Sequence, residues 1–326
     1  MRINKKILYL DQFAISNMYK AQTDTHWGLL RDIILQKIRE EKLICPMPLE
    51  HLYETVGRSD IDKMGIKNLQ YLNSIKNQHN FFCELAHGNT FYGYEEIAAT
   101  EIMMLLRQGY VKNIMSVYIH KSYYSQVDIS IIFNEGHTFN LNYRNYNTEL
   151  YKIRRTNQLE KSIDIQYKKI RQNDIKQLLV AKYIIGLKEF YNKGFIEVRG
   201  IDCGNRQLPH KVDILIYKLT QKGINKRETA KLIEELEKQM FERIPSMNIR
   251  SILTTDIVVN GKTHTPNDEI DLDRAAIGLK ICDYFFADNE KKNVIQNYEL
   301  DKKYKTDVFS GKKSSVLLLI DTLKQL

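Results

Sequence analysis

The chain has 326 residues and a formal net charge of +9, and 43% of its residues are hydrophobic and 10% aromatic. This is the composition of a packed globular protein, and it excludes a disordered tail or linker. No apolar run approaches the roughly 18 to 20 residues that a membrane helix needs, so we expect no membrane partner. The basic start passes directly into a strand-like segment without a small-residue cleavage site, and we therefore expect a cytoplasmic protein.

The four cysteines are scattered and form no CxxC pair, which argues against a zinc ribbon and against a disulfide framework. We expect reduced thiols. The sequence also has no GxxxxGK[ST] or GxGxxG phosphate loop, no HExxH and no GxSxG motif. The excess of lysine and arginine favours polyanionic partners, and a compositional bias without a functional meaning is the alternative.

The first 60 residues or so alternate between strand and helix patterns. Lys6–Asp11 (KILYLD) is an apolar run that ends in an acid, which is typical of a buried parallel strand. Helix-spaced apolar residues predict helices over Gln12–Lys20 and Trp27–Glu41. A second short strand is predicted over Leu43–Pro46, and another helix over Leu49–Val56. This order predicts an α/β fold with a parallel sheet flanked by helices.

The middle of the chain has a different pattern. Amphipathic stretches predict helices over Glu95–Leu106 and Arg227–Arg243. Three shorter segments predict a small hairpin or sheet: Ser116–His120, Val127–Phe133 and His137–Arg144. The middle of the chain is therefore expected to be mainly helical with a small β element.

A basic stretch with interleaved tyrosines covers Tyr151–Lys176. Two interpretations stay open for it: a solvated helix face, or a groove that binds phosphates and offers tyrosines for base stacking. In the second interpretation the candidate substrate-binding residues are Lys152, Arg154, Arg155, Lys168, Lys169 and Arg171.

The last part of the chain returns to the α/β pattern. Thr265-Pro266 predicts a helix start, because a capping hydroxyl is followed by proline at the first helical position, and this helix is expected to end near Cys282. Tyr284–Ala287 (YFFA) is then an apolar strand closed by Asp288. Two strands are thus expected to end in a carboxylate at the edge where open α/β sheets bind their ligands.

Helical periodicity separates two acids of the helix that begins at Pro266. Asp271 lies on the same stripe as Ala275 and Gly278, so its side chain is expected to face the protein. Asp273 lies roughly 160° away and is expected to be a solvated charge. The alternative for Asp271 is a carboxylate that only stabilises the helix dipole.

Several acids are candidate ligands of a divalent cation. Mg²⁺ and Mn²⁺ prefer oxygen ligands, and a site of this kind can hydrolyse phosphodiesters. Other interpretations remain for each acid, including a helix cap, a turn residue and a surface charge. Two glutamates one turn apart can each reach a metal, and His51 beside them either supports a ligand or is a structural histidine. The candidates are Asp11, Glu50, Glu54, Asp271, Asp283 and Asp288.

Three segments, LYLDQFAIS, CPMPLEHLYET and DEIDLDRAAIGLKICDYFFAD, resemble in this order the motifs of PIN-like nucleases. The resemblance covers about residues 5–60 and 265–290. It implies a PIN-like core formed by residues 1–60 and 246–326, with a large insertion at 61–245. Arg274 stands where similar variants often have histidine. The metal-binding and catalytic positions that the resemblance implies are Asp11, Glu54, Asp271 and Asp288, which leaves Glu50 and Asp283 as secondary candidates.

The expected activity is that of an Mg²⁺- or Mn²⁺-dependent endonuclease, with RNA favoured over DNA by the resemblance. Products with a 5′-phosphate and a 3′-hydroxyl are what the resemblance implies. The alternative is a non-catalytic nucleic-acid-binding or protein-interaction module on the same fold. A third interpretation is a toxin or phage-defence effector that stays silent until a regulatory protein partner or another trigger releases it.

Overall fold

The structure is a computed structural model, and it describes residues 5–48, 51, 69–121, 165–195, 201–202, 207–208, 211–261 and 266–326. Contacts between residues divide the chain into two compact units. The first comprises Met1–Tyr92, Tyr118–Leu141 and Ile281–Leu326, and the second comprises Gly93–Val117 and Asn142–Lys280. The sequence analysis places the boundaries of the PIN-like core at residues 60 and 246. The PIN-like core and its insertion remain a prediction, which the division into two units does not test.

The elements are as follows in chain order. The strands are β1 (Lys6–Leu10), β2 (Leu43–Ile44), β3 (Asn89–Phe91), β4 (Ile119–Lys121), β5 (Ile201–Asp202), β6 (Gln207–Leu208), β7 (Tyr284–Ala287) and β8 (Asp307–Ser310). The helices are α1 (Gln12–Lys20), α2 (His26–Arg39), α3 (Leu69–Ala86), α4 (Tyr94–Gln108), α5 (Met115–Tyr118), α6 (Ile165–Lys193), α7 (Lys211–Gln221), α8 (Lys226–Gln239), α9 (Pro245–Val259), α10 (Pro266–Ile281), α11 (Asn289–Asn297), α12 (Leu300–Tyr304) and α13 (Lys313–Lys324).

The first unit contains a four-stranded parallel sheet in the order β2-β1-β7-β8. From β1 the chain crosses outward to β2 on one side, and from β7 it crosses outward to β8 on the other side. The strand order therefore reverses between the two central strands, β1 and β7. Open α/β sheets bind their ligands beyond the carboxyl ends of the strands at such a switch point.

The sheet is apolar because helices cover it. Leu8 and Leu10 of β1 and Phe286 of β7 are buried and belong to one hydrophobic cluster with residues of α1, α2 and α13. Parallel strands buried in this way read as continuous hydrophobic runs in the sequence. The predicted α/β class, with a parallel sheet flanked by helices, is confirmed. Members of the cluster from the three helices include Ala14, Ile15, Leu30, Ile34, Val316 and Leu319.

The described part of the second unit is mainly helical and also contains the short antiparallel pair β5 and β6. Helix α4 packs against α7, α8 and α9, and α6 packs against the same three helices. Helix α9 is buried along almost its whole length, including its polar residues Asn248 and Arg250. Across the described ranges, no helix has the length and the apolar character needed to cross a membrane.

Two predicted elements differ from the structure. Residues 115–118 form a short helix rather than the start of a strand, and only Ile119–Lys121 pairs with β3, in antiparallel orientation. The helix predicted over Arg227–Arg243 ends at Gln239, because the next residue, Met240, has a positive φ of 51°. The segments Val127–Phe133 and His137–Arg144, and all of Leu49–Val56 but His51, lie outside the described residues.

Candidate functional site at the carboxyl edge of the sheet

Two aspartates follow the two central strands. Asp11 comes directly after β1 and Asp288 directly after β7. The strands pair with Leu10 opposite Phe286, and the amide of Asp11 donates a 3.1 Å hydrogen bond to the carbonyl of Phe286. Neighbouring strands are about 4.8 Å apart, so both acids lie on the same edge of the sheet, at the switch point.

The two aspartates differ in how they begin the helices that follow them. The Oδ1 of Asp288 accepts a 2.7 Å hydrogen bond from the amide of Lys291, which makes it the N-cap of α11. Asp11 precedes α1 with an extended backbone, and its side chain makes no capping hydrogen bond. Asp11 is therefore the N-cap residue of α1 by its backbone, whereas its carboxylate does not cap the helix. Both aspartates are half-buried.

Asp283 lies at the opposite edge of the sheet. It precedes β7, and its two carboxylate oxygens accept hydrogen bonds from Lys6 Nζ at 2.6 Å and from the amide of Ile7 at 2.9 Å. The hydrogen bond from Lys6 raises the pKa of that lysine. A four-residue strand spans about 13 Å. Asp283 therefore cannot share a metal ion with Asp11 and Asp288, and its place as a secondary metal candidate was wrong.

Asp271 belongs to α10. Its side chain is 30% exposed, and Nη1 of Arg274, one helical turn later, lies 3.8 Å from Asp271 Oδ1. The side chain of Arg274 is 4% exposed. Similar PIN-like variants often have histidine at this position. In this chain the position is occupied by Arg274, whose buried guanidinium lies next to the partly exposed carboxylate of Asp271.

Asp273 of the same helix is not a solvated charge, contrary to the sequence prediction. Arg250 Nε donates to Asp273 Oδ1 at 2.6 Å, and its Nη2 donates to Glu269. Lys211 also donates to Asp273. Burial acts to lower the pKa of Arg250, but the two carboxylates outweigh it and hold that pKa well above the ordinary value. Residues of α7, α9 and α10 therefore form one buried ionic cluster.

His51 is fully buried, and its Nε2 lies 3.4 Å from the hydroxyl of Tyr9. Its ring also meets those of Tyr9 and Phe82 edge-on. This environment is that of a histidine held within the hydrophobic core.

Several predicted site residues lie outside the described part of the chain or within it only by their backbone. Helix α6 includes three of the basic candidates, but of these only Arg171 has a described side chain, which is half-buried. Outside the described residues are Glu50, Glu54, Lys152, Arg154 and Arg155, and the side chains of Lys168 and Lys169 are likewise not described.

The residues at the carboxyl edge suit a hard divalent cation. Within the described ranges, no three His, Cys, Asp or Glu side chains are grouped so that they could hold a metal. Asp11 and Asp288 supply two carboxylates. Mg²⁺ is often bound by only one or two carboxylates together with substrate phosphates and waters. The donor set of this edge therefore fits Mg²⁺ or Mn²⁺.

No protein-family model, no curated protein and no solved structure matches the chain. The likeness to PIN-like nucleases therefore depends on the three sequence segments that carry it.

Proposed function

We propose that the protein is a PIN-like endonuclease that hydrolyses phosphodiester bonds with Mg²⁺ or Mn²⁺, with RNA as the favoured substrate. The observation that carries the proposal is the pair Asp11 and Asp288, which follow adjacent central strands at the switch point. The sequence resemblance adds Glu54 and Asp271 to the ligands. The net charge of +9 is in keeping with a polyanionic substrate.

The chain's own part in the reaction is to fix carboxylates on rigid elements. The backbone of Asp11 is held by the hydrogen bond that its amide donates to the carbonyl of Phe286 in β7. The carboxylate of Asp288 is held by the hydrogen bond that it accepts from the amide of Lys291. Carboxylates at the same edge of neighbouring strands repel each other, and a bound cation would offset that repulsion. A divalent ion bound by these residues would lower the pKa of an attacking water and stabilise charge on the phosphate and on the leaving oxygen.

A cleavage assay tests the proposal. End-labelled RNA and DNA are incubated with the full-length protein in Mn²⁺, in Mg²⁺ and in EDTA. We expect metal-dependent cleavage of RNA by the wild type. Asp11→Asn should slow it by about 10²-fold or more, since losing several kcal/mol of charge stabilisation costs a factor of ten for each ~1.4 kcal/mol.

The matched control is Asp283→Asn, which removes one carboxylate from the opposite edge of the same sheet. It should cleave at the wild-type rate. Equal cleavage by Asp11→Asn and wild type contradicts the proposed site. A wild type that binds RNA but cleaves neither nucleic acid in any metal favours the non-catalytic binding module instead.

A further inference from the structure

Two lysines, Lys292 and Lys312, lie beside the proposed site. Lys292 is in the first turn of α11, four residues after Asp288, and Lys312 directly precedes α13. Helix α11 packs against β8, the strand that leads to Lys312. Partial burial and the neighbouring charge of Lys312 lower the pKa of Lys292, while Asp301 acts in the opposite direction. Neither ammonium forms an ion pair with a carboxylate of the described residues.

Ammonium groups on two segments that pack together repel each other, and an anion between them relieves that repulsion. The positive ends of α11 and α13 point to the same edge of the sheet, because each helix follows a parallel strand, and they add to the attraction for an anion. A phosphate is the anion that suits a cluster of lysines at such an edge. The lysines of the two segments are Lys291, Lys292, Lys312 and Lys313.

Aromatic rings border the same segment. Trp27, the only tryptophan of the chain, is partly exposed and packs against Phe13 and Phe286, with ring centroids 6.3 and 5.8 Å away. Gly311 lies directly under these rings: a Cβ at this position would be 3.0 Å from the ring of Phe13 and 4.0 Å from that of Trp27. The ring surface therefore adjoins Lys312.

We infer that this edge of the sheet binds a single-stranded nucleic acid, with Lys292 and Lys312 on a phosphate beside the bond to be cleaved and Trp27 against an unpaired base. The inference rests on the proposed function and names how its substrate is held. A single strand is specified because only an unpaired base offers its face to an aromatic ring.

The lysine contacts are tested by binding. Fluorescein-labelled single-stranded RNA is titrated with the full-length protein in EDTA, which stops metal-dependent cleavage, at several salt concentrations. Lys292→Gln/Lys312→Gln should bind about tenfold more weakly, and the slope of log K against log[salt] should fall by about 1, since each phosphate contact on a single strand contributes roughly 0.7.

The control is Lys5→Gln/Lys42→Gln, which removes two exposed lysines from the amino edge of the same sheet. Its affinity and salt slope should match those of the wild type. Unchanged binding by the Lys292/Lys312 variant, or an equal loss in the control, overturns the inference.

The stacking of a base on Trp27 is tested by the fluorescence of this tryptophan. Single-stranded RNA should quench it on binding, whereas an abasic strand of the same length, which offers phosphates but no bases, should leave it nearly unchanged. Trp27→Leu should bind about tenfold more weakly and Trp27→Phe, which keeps a ring, should bind better than Trp27→Leu. Emission that does not respond to saturating RNA overturns the stacking contact, whatever the variants do to folding.

Different experimental outcomes contradict the proposed binding surface and the proposed activity. Metal-dependent cleavage by a Lys292/Lys312 variant with wild-type affinity contradicts the surface and leaves the activity in place. RNA binding that needs these residues, with no cleavage in any metal, supports the surface and contradicts the activity. A wild type that neither binds nor cleaves RNA contradicts both.

Discussion

Asp288 Oδ1 accepts a 2.7 Å hydrogen bond from the backbone amide of Lys291. The bond fixes the orientation of the carboxylate and ties the carboxyl end of β7 to the first turn of α11. Asp288 thus has a structural role as a helix cap and a proposed chemical role as a metal ligand. The two roles require different properties of the side chain: the cap needs an acceptor oxygen, and the ligand needs negative charge.

Asp288→Asn separates these two parts. Asparagine caps helices about as well as aspartate, so we expect the free energy of unfolding to change by less than about 1 kcal/mol. Cleavage should nevertheless fall by about 10²-fold, because a neutral amide is a poor ligand for Mg²⁺. Thermal unfolding and the cleavage rate measure the two effects. Asp288→Ala should lose the activity and about 1 kcal/mol of stability as well. Wild-type cleavage by Asp288→Asn would remove this residue from the site.

The buried ionic cluster of the second unit gives a prediction about stability. Arg250→Met leaves Glu269, whose side chain is 2% exposed, without its guanidinium partner. Breaking a buried pair by removing one partner typically costs about 3–5 kcal/mol, which a urea titration measures. The matched variant Arg250→Met/Glu269→Gln/Asp273→Asn removes all three charges and should recover most of the loss. A single variant as stable as the wild type contradicts the structural part assigned to Arg250.

The main strands could be predicted because their signal is local. An apolar run closed by an acid describes both β1 with Asp11 and β7 with Asp288. The strand direction also separates Asp283, which precedes β7, from Asp288, which follows it, so the opposite location of Asp283 was within reach of the sequence. Asp283 nevertheless remained a candidate ligand, because the prediction considered how many acids lie near the strand and not at which end of the strand each acid stands.

Other features depend on contacts that no local pattern contains. Arg250 and Glu269 are 19 residues apart, and helical periodicity within one helix does not show which residues of another helix pack against it. Lys292 lies in the crossover from β7 to β8 and Lys312 follows β8, and the packing of α11 against β8 brings these two segments together. These groups could therefore not be found before the strand order and the helix packing were known.

The cysteines give a prediction about reactivity. Burial raises the pKa of the Cys45 and Cys282 thiols far above the ordinary value. It also raises that of Cys83, which is only half-buried. Because the thiolate is the reactive form, native Cys45 and Cys282 should stay unmodified by iodoacetamide at pH 8, with Cys83 reacting slowly. Peptide mass mapping with and without urea measures this. Alkylation of native Cys282 at the rate of a free thiol contradicts the packing around it.

The stability of the fold should depend on pH through Glu96 of α4. Glu96 of α4 accepts hydrogen bonds from Lys222 and from Lys218, the latter at 3.3 Å. Burial acts to raise the pKa of Glu96, but the two ammonium groups outweigh it, and the net pKa is lowered from the ordinary 4.5. A carboxyl whose pKa is lower in the folded state stabilises the fold above pH 4.5, and this contribution disappears as the pH falls through the folded value.

Glu96→Gln should therefore cost less than about 1 kcal/mol at pH 7, a small figure because the side chains are partly exposed to screening solvent. The difference from the wild type should shrink as the pH falls below 4.5. Urea titrations between neutral and acid pH measure it. Glu234→Gln is the control: Glu234 is 66% exposed and lies 3.8 Å from Lys238, so it should change stability little at any pH. A cost for Glu96→Gln that grows toward acid pH contradicts the sign of the shift and the ion pairs that explain it.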